Sequence, residues 1–257
     1  MPAVVPLSVP LRLVSVTHAG PPEVALWQVA LRSEDEGAFD VVPDAACLAL
    51  LSADERRQAQ AFQRHEDVLR FVTVRAALRV LLGHALNRAP HTLALTRDAH
   101  GRPQLAGAAP GGLDFNVSHA GAYGLIALST AASVASAASG YRVGVDLEVC
   151  RSAFDWRSVA ALTLDHEEQA ELAALESAAA QRAAFFESWV AKEALLKAAG
   201  VGITEGLNIA PLYPRRGEQE RVEWRAATQA RWPGFAACWV AAPEGYCACL
   251  AWSARGA

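Results

Sequence analysis

Apolar side chains recur every three to four positions along two stretches of the chain, and this period predicts helices. Residues 52–86 hold no proline and are expected to form one or two helices, which begin at Ser52 with Glu55 in capping-box spacing. Residues 165–199 hold neither proline nor glycine, and we expect a helical segment that is broken near Ser177. Gly200 is expected to end it, because glycine tolerates the left-handed conformation common at helix C-termini.

In the middle of the chain and near its end, apolar and polar residues alternate with a period of two, which is typical of strands, instead of the helical period. Over residues 113–118 apolar side chains alternate with Asp114, Asn116 and Ser118, which predicts a half-buried strand whose polar side chains share one face. The elements expected around it are a turn at 100–103, a turn at 119–122, a returning strand at 123–128, a flexible loop at 129–140 and a third strand at 142–149. Residues 207–252 alternate around turn signals at 214, 233–234 and 244–245, which indicates an antiparallel sheet.

Composition is typical of a globular protein. The 257 residues are 53% hydrophobic and 19% charged, enough to bury a core in one large domain or two small ones. Prolines interrupt the apolar N-terminus before a run of signal or membrane-spanning length, so we expect a cytoplasmic protein. The five cysteines form no CxxC pair, which favours reduced thiols over a disulfide framework or a cysteine zinc site.

Charge is unevenly distributed along the chain. The net charge of -4 argues against a general nucleic-acid binder. Residues 52–103, however, carry nine arginines against five acidic residues, which leaves this region at +4. It is either a solvated helical face or a surface for an anion or an acidic partner.

Two carboxylates stand two positions apart in the strand predicted at residues 142–149. Asp146 and Glu148 therefore project from one face, with Cα atoms about 6.6 Å apart. This spacing suits a shared magnesium ion, which prefers oxygen ligands and retains waters for substrate phosphates to replace. An acidic pair on a solvent-facing strand is the alternative.

The second helical stretch places Trp189, Glu193 and Lys197 in one row, at i, i+4 and i+8. An acid and a base would then face one cavity, although a surface Glu-to-Lys pair beside a core tryptophan has the same spacing. Lys192 and Lys197 are the only lysines among 23 basic residues, which either points to a need for ammonium chemistry here or reflects chance clustering. Lys192 lies off the row, where it either reaches a phosphate from the side or is solvated.

Together these segments resemble the 4'-phosphopantetheinyl transferase family, and its Sfp-type branch in chain length and two-part layout. The matching segments, in the family's order, are Phe115-Asn-Val-Ser-His119, Gly144-Val-Asp-Leu-Glu148 and Trp189-Val-Ala-Lys-Glu-Ala-Leu-Leu-Lys197. The resemblance is clear over residues 51–202, and the two ends of the chain contribute little to it.

The resemblance implies an α+β fold of two similar αβ halves related by a pseudo-twofold axis, with the active site in the cleft between them. Residues 1–130 would form the N-terminal half, with the basic helix region and coenzyme A binding. Residues 131–257 would form the C-terminal half, with the metal-binding strand and the catalytic helix.

The same resemblance assigns roles to four acidic and basic residues. Asp146, Glu148 and Glu193 match magnesium ligands, with manganese as a substitute metal. Glu193 also matches the base for the acceptor serine, and its two roles conflict if it holds the metal. Lys197 matches the lysine that neutralises the leaving phosphate, and Trp189 matches a structural aromatic residue.

Several residues match the family's coenzyme A site. Ser118 and His119 match residues near the 3'-phosphate of coenzyme A, and Arg102 takes a position often filled by lysine. Family members often carry several basic residues just after the serine that opens the first long helix, but glutamines interrupt them here. Which arginine holds the 3'-phosphate is therefore undecided. The candidate contacts to coenzyme A are Ser118, His119, Arg102, Arg56, Arg57 and Lys192.

The implied reaction is attack of a serine of an apo acyl or peptidyl carrier protein on the β-phosphate of coenzyme A, with release of adenosine 3',5'-bisphosphate. Positioning and cationic stabilisation catalyse such transfers, which accounts for a metal and a lysine rather than a protein nucleophile. The alternatives are a magnesium-dependent phosphodiesterase and an inactive module that binds carrier protein or coenzyme A. We expect a monomer that binds neither nucleic acid nor membrane, and the sequence does not distinguish fatty-acid, polyketide and peptide-synthetase carriers.

Overall fold

The computed structural model of the protein describes residues 11–31, 43–107, 112–129, 140–151, 153–202, 209–211 and 221–254. The expected turn at Pro214 and most of the expected loop at residues 129–140 lie outside these ranges. Within them, no helix is long and apolar enough to cross a membrane.

The first part of the chain combines a four-stranded sheet with three helices. The helices are α1 (Ala45–Leu50), α2 (Ala53–Ala61) and α3 (His65–Leu86), and the strands are β1 (Arg12–Ser15), β2 (Val24–Ala30), β3 (Leu95–Arg97), β4 (Pro103–Leu105), β5 (Asp114–Ala120) and β6 (Tyr123–Ser129). Four strands pair antiparallel in the order β1-β2-β6-β5, and β3 and β4 form a separate hairpin.

The helical prediction for residues 52–86 is confirmed, with two helices separated at residues 62–64. The predicted capping box is present: Ser52 Oγ accepts from the Glu55 N–H at 3.2 Å, and the Glu55 carboxylate accepts from the Ser52 N–H at 2.8 Å. Helix α3 ends at Asn87, which adopts a left-handed φ of 50°. The predicted turn at residues 100–103 joins β3 to β4 through Gly101, whose φ is 82°.

The second part of the chain combines a three-stranded sheet with one long helix and shorter ones. Its elements are β7 (Tyr141–Val149), α4 (Trp156–Thr163), α5 (His166–Ala173), α6 (Ala178–Ala199), α7 (Ala226–Arg231), β8 (Phe235–Trp239) and β9 (Tyr246–Ala254). The strands pair antiparallel in the order β7-β9-β8, and the alternating pattern had predicted an antiparallel sheet here.

The predicted helix break is confirmed at Ser177, whose Oγ caps α6 by accepting from the Ala180 N–H at 3.1 Å. Gly200 ends α6 with a φ of 74°. Helices α4 and α7 were not predicted, because eight and six residues are too few for a clear period.

The long helices lie on opposite sides of two sheets that share a core. Helix α3 and the first sheet bury one cluster around Ile126, and α6 and the second sheet bury another around Ala251. Between the sheets, Leu125 of β6 shares a third cluster with Val145 of β7 and Leu250 of β9. The helices and antiparallel sheets are thus segregated as expected for an α+β fold.

The polar face predicted for β5 is buried against β7 rather than exposed to solvent. Its oxygens cap the backbone of β7: Asp114 Oδ2, Asn116 Oδ1 and Ser118 Oγ accept from the N–H groups of Val143, Val145 and Leu147 at 2.8, 2.9 and 3.3 Å. These side chains satisfy N–H groups on a strand edge that would otherwise lack partners. The contact also brings the end of β5 beside the acidic residues of β7.

The close approach of α6 to β7 depends on Gly144. A Cβ atom built at this position would lie only 2.1 Å from the Ala194 backbone oxygen and 2.4 Å from the Ala198 nitrogen. The missing side chain therefore lets the helix backbone rest directly on the strand. Because Asp146 follows Gly144 by two residues, it lies under the part of α6 that carries Glu193 and Lys197.

Candidate active site

An acidic cluster lies where α6 crosses β7, and it contains the four residues that the sequence predicted to act together. Lys197 Nζ lies 2.6 Å from Asp146 Oδ1, and Glu148 and Glu193 are close enough for electrostatic interaction with both. Ser118 Oγ of β5 donates to the same oxygen of Asp146 at 3.0 Å. Both parts of the chain therefore contribute to the cluster.

The donor set of this cluster fits a divalent cation. Asp146 is 3% exposed, and its Oδ2 is a buried oxygen without a hydrogen-bond partner in the described part of the chain. When ionised, the three carboxylates outnumber Lys197 by three charges to one, which leaves two negative charges to balance. Among the described residues, no three histidine, cysteine, aspartate or glutamate side chains are already placed together to hold a metal ion. Asp146 Oδ2, with the carboxylates of Glu148 and Glu193 nearby, offers the kind of oxygen ligand that magnesium prefers.

The pKa values of Glu148, Glu193 and Lys197 in the cluster are all raised. Burial and the charge of Asp146 raise the pKa of Glu148 to about 7. Burial also raises the pKa of Glu193, against the opposing effect of Lys197. Burial acts to lower the pKa of Lys197, but the charges of Asp146 and Glu193 outweigh it and the pKa is raised. The site thus holds a protonated ammonium beside one carboxyl group, that of Glu148, whose pKa of about 7 lets it exchange a proton near neutral pH.

A basic cavity of about 410 Å³ opens beside this cluster. Its wall includes Glu193 and Lys197 of the cluster together with Arg75, Arg97 and His119. Burial, together with the positive charge of Arg70, lowers the pKa of His119. Its imidazole is therefore neutral at pH 7 and can donate or accept a hydrogen bond at the cavity wall.

Two arginines of the basic cavity were missed in the sequence analysis. Arg75 stands in the apolar stripe of α3, where 10% of its side chain is exposed and Glu55 Oε1 lies 3.7 Å away. Its pKa is lowered to about 10, mainly by burial; the charge of Glu55 opposes this change and the charge of Arg97 adds to it. An arginine among buried apolar neighbours was the signal for Arg75, whereas nothing in the local sequence marks the exposed Arg97.

Arg102 borders the basic cavity, but its guanidinium is engaged by the protein. It donates to the Asp114 carboxylate at 2.9 Å and to the backbone oxygens of Phe115, Val143 and Lys197 at 2.7, 3.0 and 2.5 Å. These contacts join β5, β7 and the end of α6. Arg102 thus holds these three segments together, and its predicted contact with coenzyme A stays a prediction.

The structure also separates three other predicted contacts from the cluster. Arg56 donates to the Leu51 backbone oxygen at 2.6 Å, and Arg57 pairs with Asp54 on the exposed face of α2. Lys192 is 3% exposed and lies 2.7 Å from Glu168 of α5, on a different side of α6 from Lys197. None of the three is among the residues that line the basic cavity, and the phosphate contacts predicted for them stay predictions.

An aromatic cavity of about 420 Å³ lies on the other side of the cluster and shares His119 with the basic cavity. Its wall includes Glu148, Trp189, Phe185, Phe186 and the half-exposed Phe154. The predicted row along α6 therefore runs from the aromatic cavity at Trp189 to the basic cavity at Lys197. Its acidic member, Glu193, lies between them.

Comparisons with known proteins agree with this arrangement. The family model of the 4'-phosphopantetheinyl transferase superfamily matches residues 142–251, which include the acidic residues of β7 and the row along α6. A second model, described as 4'-phosphopantetheinyl transferase, N-terminal, matches residues 44–131, which include Arg75, Arg97, Ser118 and His119.

Similar curated proteins carry the same family name. The chain is 38% identical to a putative 4'-phosphopantetheinyl transferase of Synechocystis over 62% of this chain and 61% of that protein, less than two thirds of its length. It is 32% identical to the 4'-phosphopantetheinyl transferase HetI of Nostoc over 71% of each chain. It is 30% identical to the L-aminoadipate-semialdehyde dehydrogenase-phosphopantetheinyl transferase of Schizosaccharomyces pombe, over 72% of this chain and 74% of the relative. With its motifs in place and this similarity spanning most of two relatives, the chain belongs to the 4'-phosphopantetheinyl transferase family.

Proposed function

We propose that this protein transfers the 4'-phosphopantetheine group of coenzyme A to a serine of an apo acyl or peptidyl carrier protein, and that adenosine 3',5'-bisphosphate is released. The observation that carries the proposal is the acidic cluster of Asp146, Glu148 and Glu193 with Lys197, held between a basic cavity and an aromatic one. A donor with a phosphorylated nucleotide at one end and an uncharged pantetheine arm at the other has matching chemistry.

The nucleotide end of coenzyme A would occupy the basic cavity. Arg75 is held by Glu55 and Phe71, which orients its guanidinium before a ligand arrives. Together with the exposed Arg97 and the neutral His119, it offers donors suited to phosphate oxygens. We therefore assign the 3'-phosphate to Arg75, Arg97 and His119, in place of Arg56, Arg57 and Lys192.

The pyrophosphate would then lie beside Lys197, whose raised pKa keeps its ammonium charged. Lys197 would neutralise the negative charge that grows on the leaving bisphosphate. Glu193 would accept the proton of the carrier serine, because burial raises its pKa toward the range in which a carboxylate is an effective base. Ser118 would hold Asp146 in place through its hydrogen bond.

Magnesium, or manganese in its place, would be held by Asp146 and Glu148, with Glu193 as the third candidate ligand. When bound, the metal would supply positive charge and orientation to the pyrophosphate oxygens. The buried Oδ2 of Asp146, which has no hydrogen-bond partner in the described part of the chain, supports such a metal contact.

The two parts of the chain would act as similar halves related by a pseudo-twofold axis, over residues 1–130 and 131–257. Each part packs one helix of 22 residues on an antiparallel sheet, and the parts meet where β5 and β7 run side by side. This layout supports a donor site built from the first part and a catalytic site built from the second.

Incubation of several apo-carrier proteins with coenzyme A, magnesium and this protein tests the proposal by intact mass. At least one carrier should gain the mass of a single phosphopantetheine group, and the gain should disappear with Asp146→Asn. Asp54→Asn is the matched control, since that carboxylate is 82% exposed on α2. If no fatty-acid, polyketide or peptide-synthetase carrier gains mass, the proposal is wrong.

A further inference from the structure

A pair of thiols lies directly beside the acidic cluster. Cys150 Sγ and Cys247 Sγ are 3.1 Å apart and are not joined by a disulfide. Both residues are partly exposed, whereas the other cysteines, Cys47, Cys238 and Cys249, are buried. Peroxide in solution therefore reaches this pair more readily than the other thiols.

The strand register ties the pair to Glu148. Cys247 of β9 is the antiparallel partner of Glu148, so their side chains stand next to each other on one face of the sheet. Cys150 follows Glu148 by two residues, and its N–H continues the ladder by donating to the Gly245 oxygen at 2.8 Å. Alternation along an extended chain puts Cys150 on the same face as Glu148. Trp189, which hydrogen-bonds to Glu148, packs against the same aromatic cluster as both cysteines.

We propose that Cys150 and Cys247 form a redox-active pair that a peroxide converts to a disulfide, and that this disulfide weakens magnesium binding by the acidic cluster. The metal part of this inference rests on the proposed function. The disulfide part rests only on the position and exposure of the two thiols.

Hydrogen peroxide is the oxidant that converts the two thiols to a disulfide. One thiol releases its proton, and the thiolate attacks a peroxide oxygen, so that an S–O bond forms and the O–O bond breaks. The hydroxide that leaves takes up the released proton, and a sulfenic acid and one water result. The second sulfur then attacks the sulfenic sulfur, which forms the S–S bond, breaks the S–O bond and releases a second water. The protein loses two hydrogens and both oxygens leave as water. A dithiol reductant reverses the change.

The expected weakening of magnesium binding follows from the distance between the two sulfur atoms. The sulfurs must approach from 3.1 Å to the length of a disulfide bond, about 2.05 Å, which draws the end of β7 toward β9 diagonally across the ladder. Magnesium demands near-ideal octahedral geometry, so a small displacement of Glu148 lowers its affinity. We expect the magnesium concentration for half-maximal binding to rise roughly tenfold, as for other changes around a ligand shell.

Intact mass and magnesium titration together test the inference on the full chain. The reduced protein treated with hydrogen peroxide should lose two hydrogens, and peptide mapping without reduction should join Cys150 to Cys247. Magnesium binding is then followed by the rise in unfolding temperature, without coenzyme A or carrier. The Cys150→Ser and Cys247→Ser variants should neither form the disulfide nor change their magnesium titration after peroxide.

Cys47→Ser is the matched control, because Cys47 is 3% exposed and burial raises its pKa to about 11. This variant should respond to peroxide as the wild type does. Failure to lose two hydrogens, a linkage between other cysteines, or an unchanged magnesium titration of the disulfide form would each overturn the inference. A reduced protein that ignores magnesium before any oxidant is added would instead count against the metal site of the proposed function.

Discussion

Replacement of Glu148 by glutamine is expected to stabilise the metal-free protein at alkaline pH while it weakens magnesium binding. Burial, with the charge of Asp146, raises the pKa of the Glu148 carboxyl from 4.5 to about 7 in the folded protein. The folded state therefore holds a proton that the unfolded state has lost between these two pH values. Folding stability accordingly falls as pH rises through this window, and the loss is complete above pH 7.

The size of the effect follows from the shift in pKa. A difference of about 2.5 units corresponds to at most about 3 kcal/mol in the free energy of unfolding. Glu148→Gln removes the ionisable group, so its stability relative to wild type should be near zero at pH 4 and rise to that limit by pH 8. Glutamine keeps the size of the side chain, and the exposed Glu176 supplies Glu176→Gln as the matched control.

The assay is chemical denaturation from pH 4 to pH 9 in excess EDTA, repeated with magnesium. Magnesium should stabilise the wild type by binding its folded state and should stabilise Glu148→Gln much less. Parallel pH profiles for wild type and Glu148→Gln in EDTA would refute the reasoning. So would equal stabilisation of both proteins by magnesium.

Three further changes test other parts of the site. Lys197→Ala should lower turnover roughly 100-fold at saturating coenzyme A, because other enzymes lose about as much when a donor to developing charge is removed. Lys197→Arg should keep part of the wild-type turnover if charge alone matters. Single-turnover rates measure both variants. Arg97→Ala should raise the Michaelis constant for coenzyme A but leave that for 3'-dephospho-coenzyme A unchanged, and Arg88→Ala, an exposed arginine outside the basic cavity, should change neither. Gly144→Ala should lower the free energy of unfolding by about 3 kcal/mol or more in denaturant, because the new Cβ would lie 2.1 Å from the Ala194 oxygen. A decrease below about 1 kcal/mol would mean that α6 does not rest on Gly144.

Much of the fold was predictable because its signals are local. The capping box at Ser52, the helix start at Ser177 and the glycine that ends α6 each depend on residues within a few positions of one another. The acidic pair of β7 and the row along α6 were likewise visible from strand and helix periods. Their meeting was not visible from periodicity, because it depends on Gly144 and on the packing of two distant segments; only the family resemblance indicated it.

The contacts that could not be predicted are those of arginine and lysine residues whose partners are distant in sequence. Arg102 contacts Lys197, 95 positions away, and Lys192 contacts Glu168, 24 positions away. A charged side chain next to a motif gives no sign of whether a buried protein acceptor or a substrate phosphate takes its hydrogen bonds. The partner of the polar face of β5 could not be predicted for the same reason, since alternation does not distinguish solvent from the backbone of a neighbouring strand.

The stoichiometry of products tests the central claim most directly. Wild-type protein, coenzyme A, magnesium and an accepted apo-carrier should yield modified carrier and adenosine 3',5'-bisphosphate in equal amounts, with none of either in excess EDTA. Bisphosphate without modified carrier would identify a phosphodiesterase, and binding of coenzyme A without either product would identify an inactive module. Either result, or full turnover in EDTA, would contradict a metal-dependent transfer by the acidic cluster.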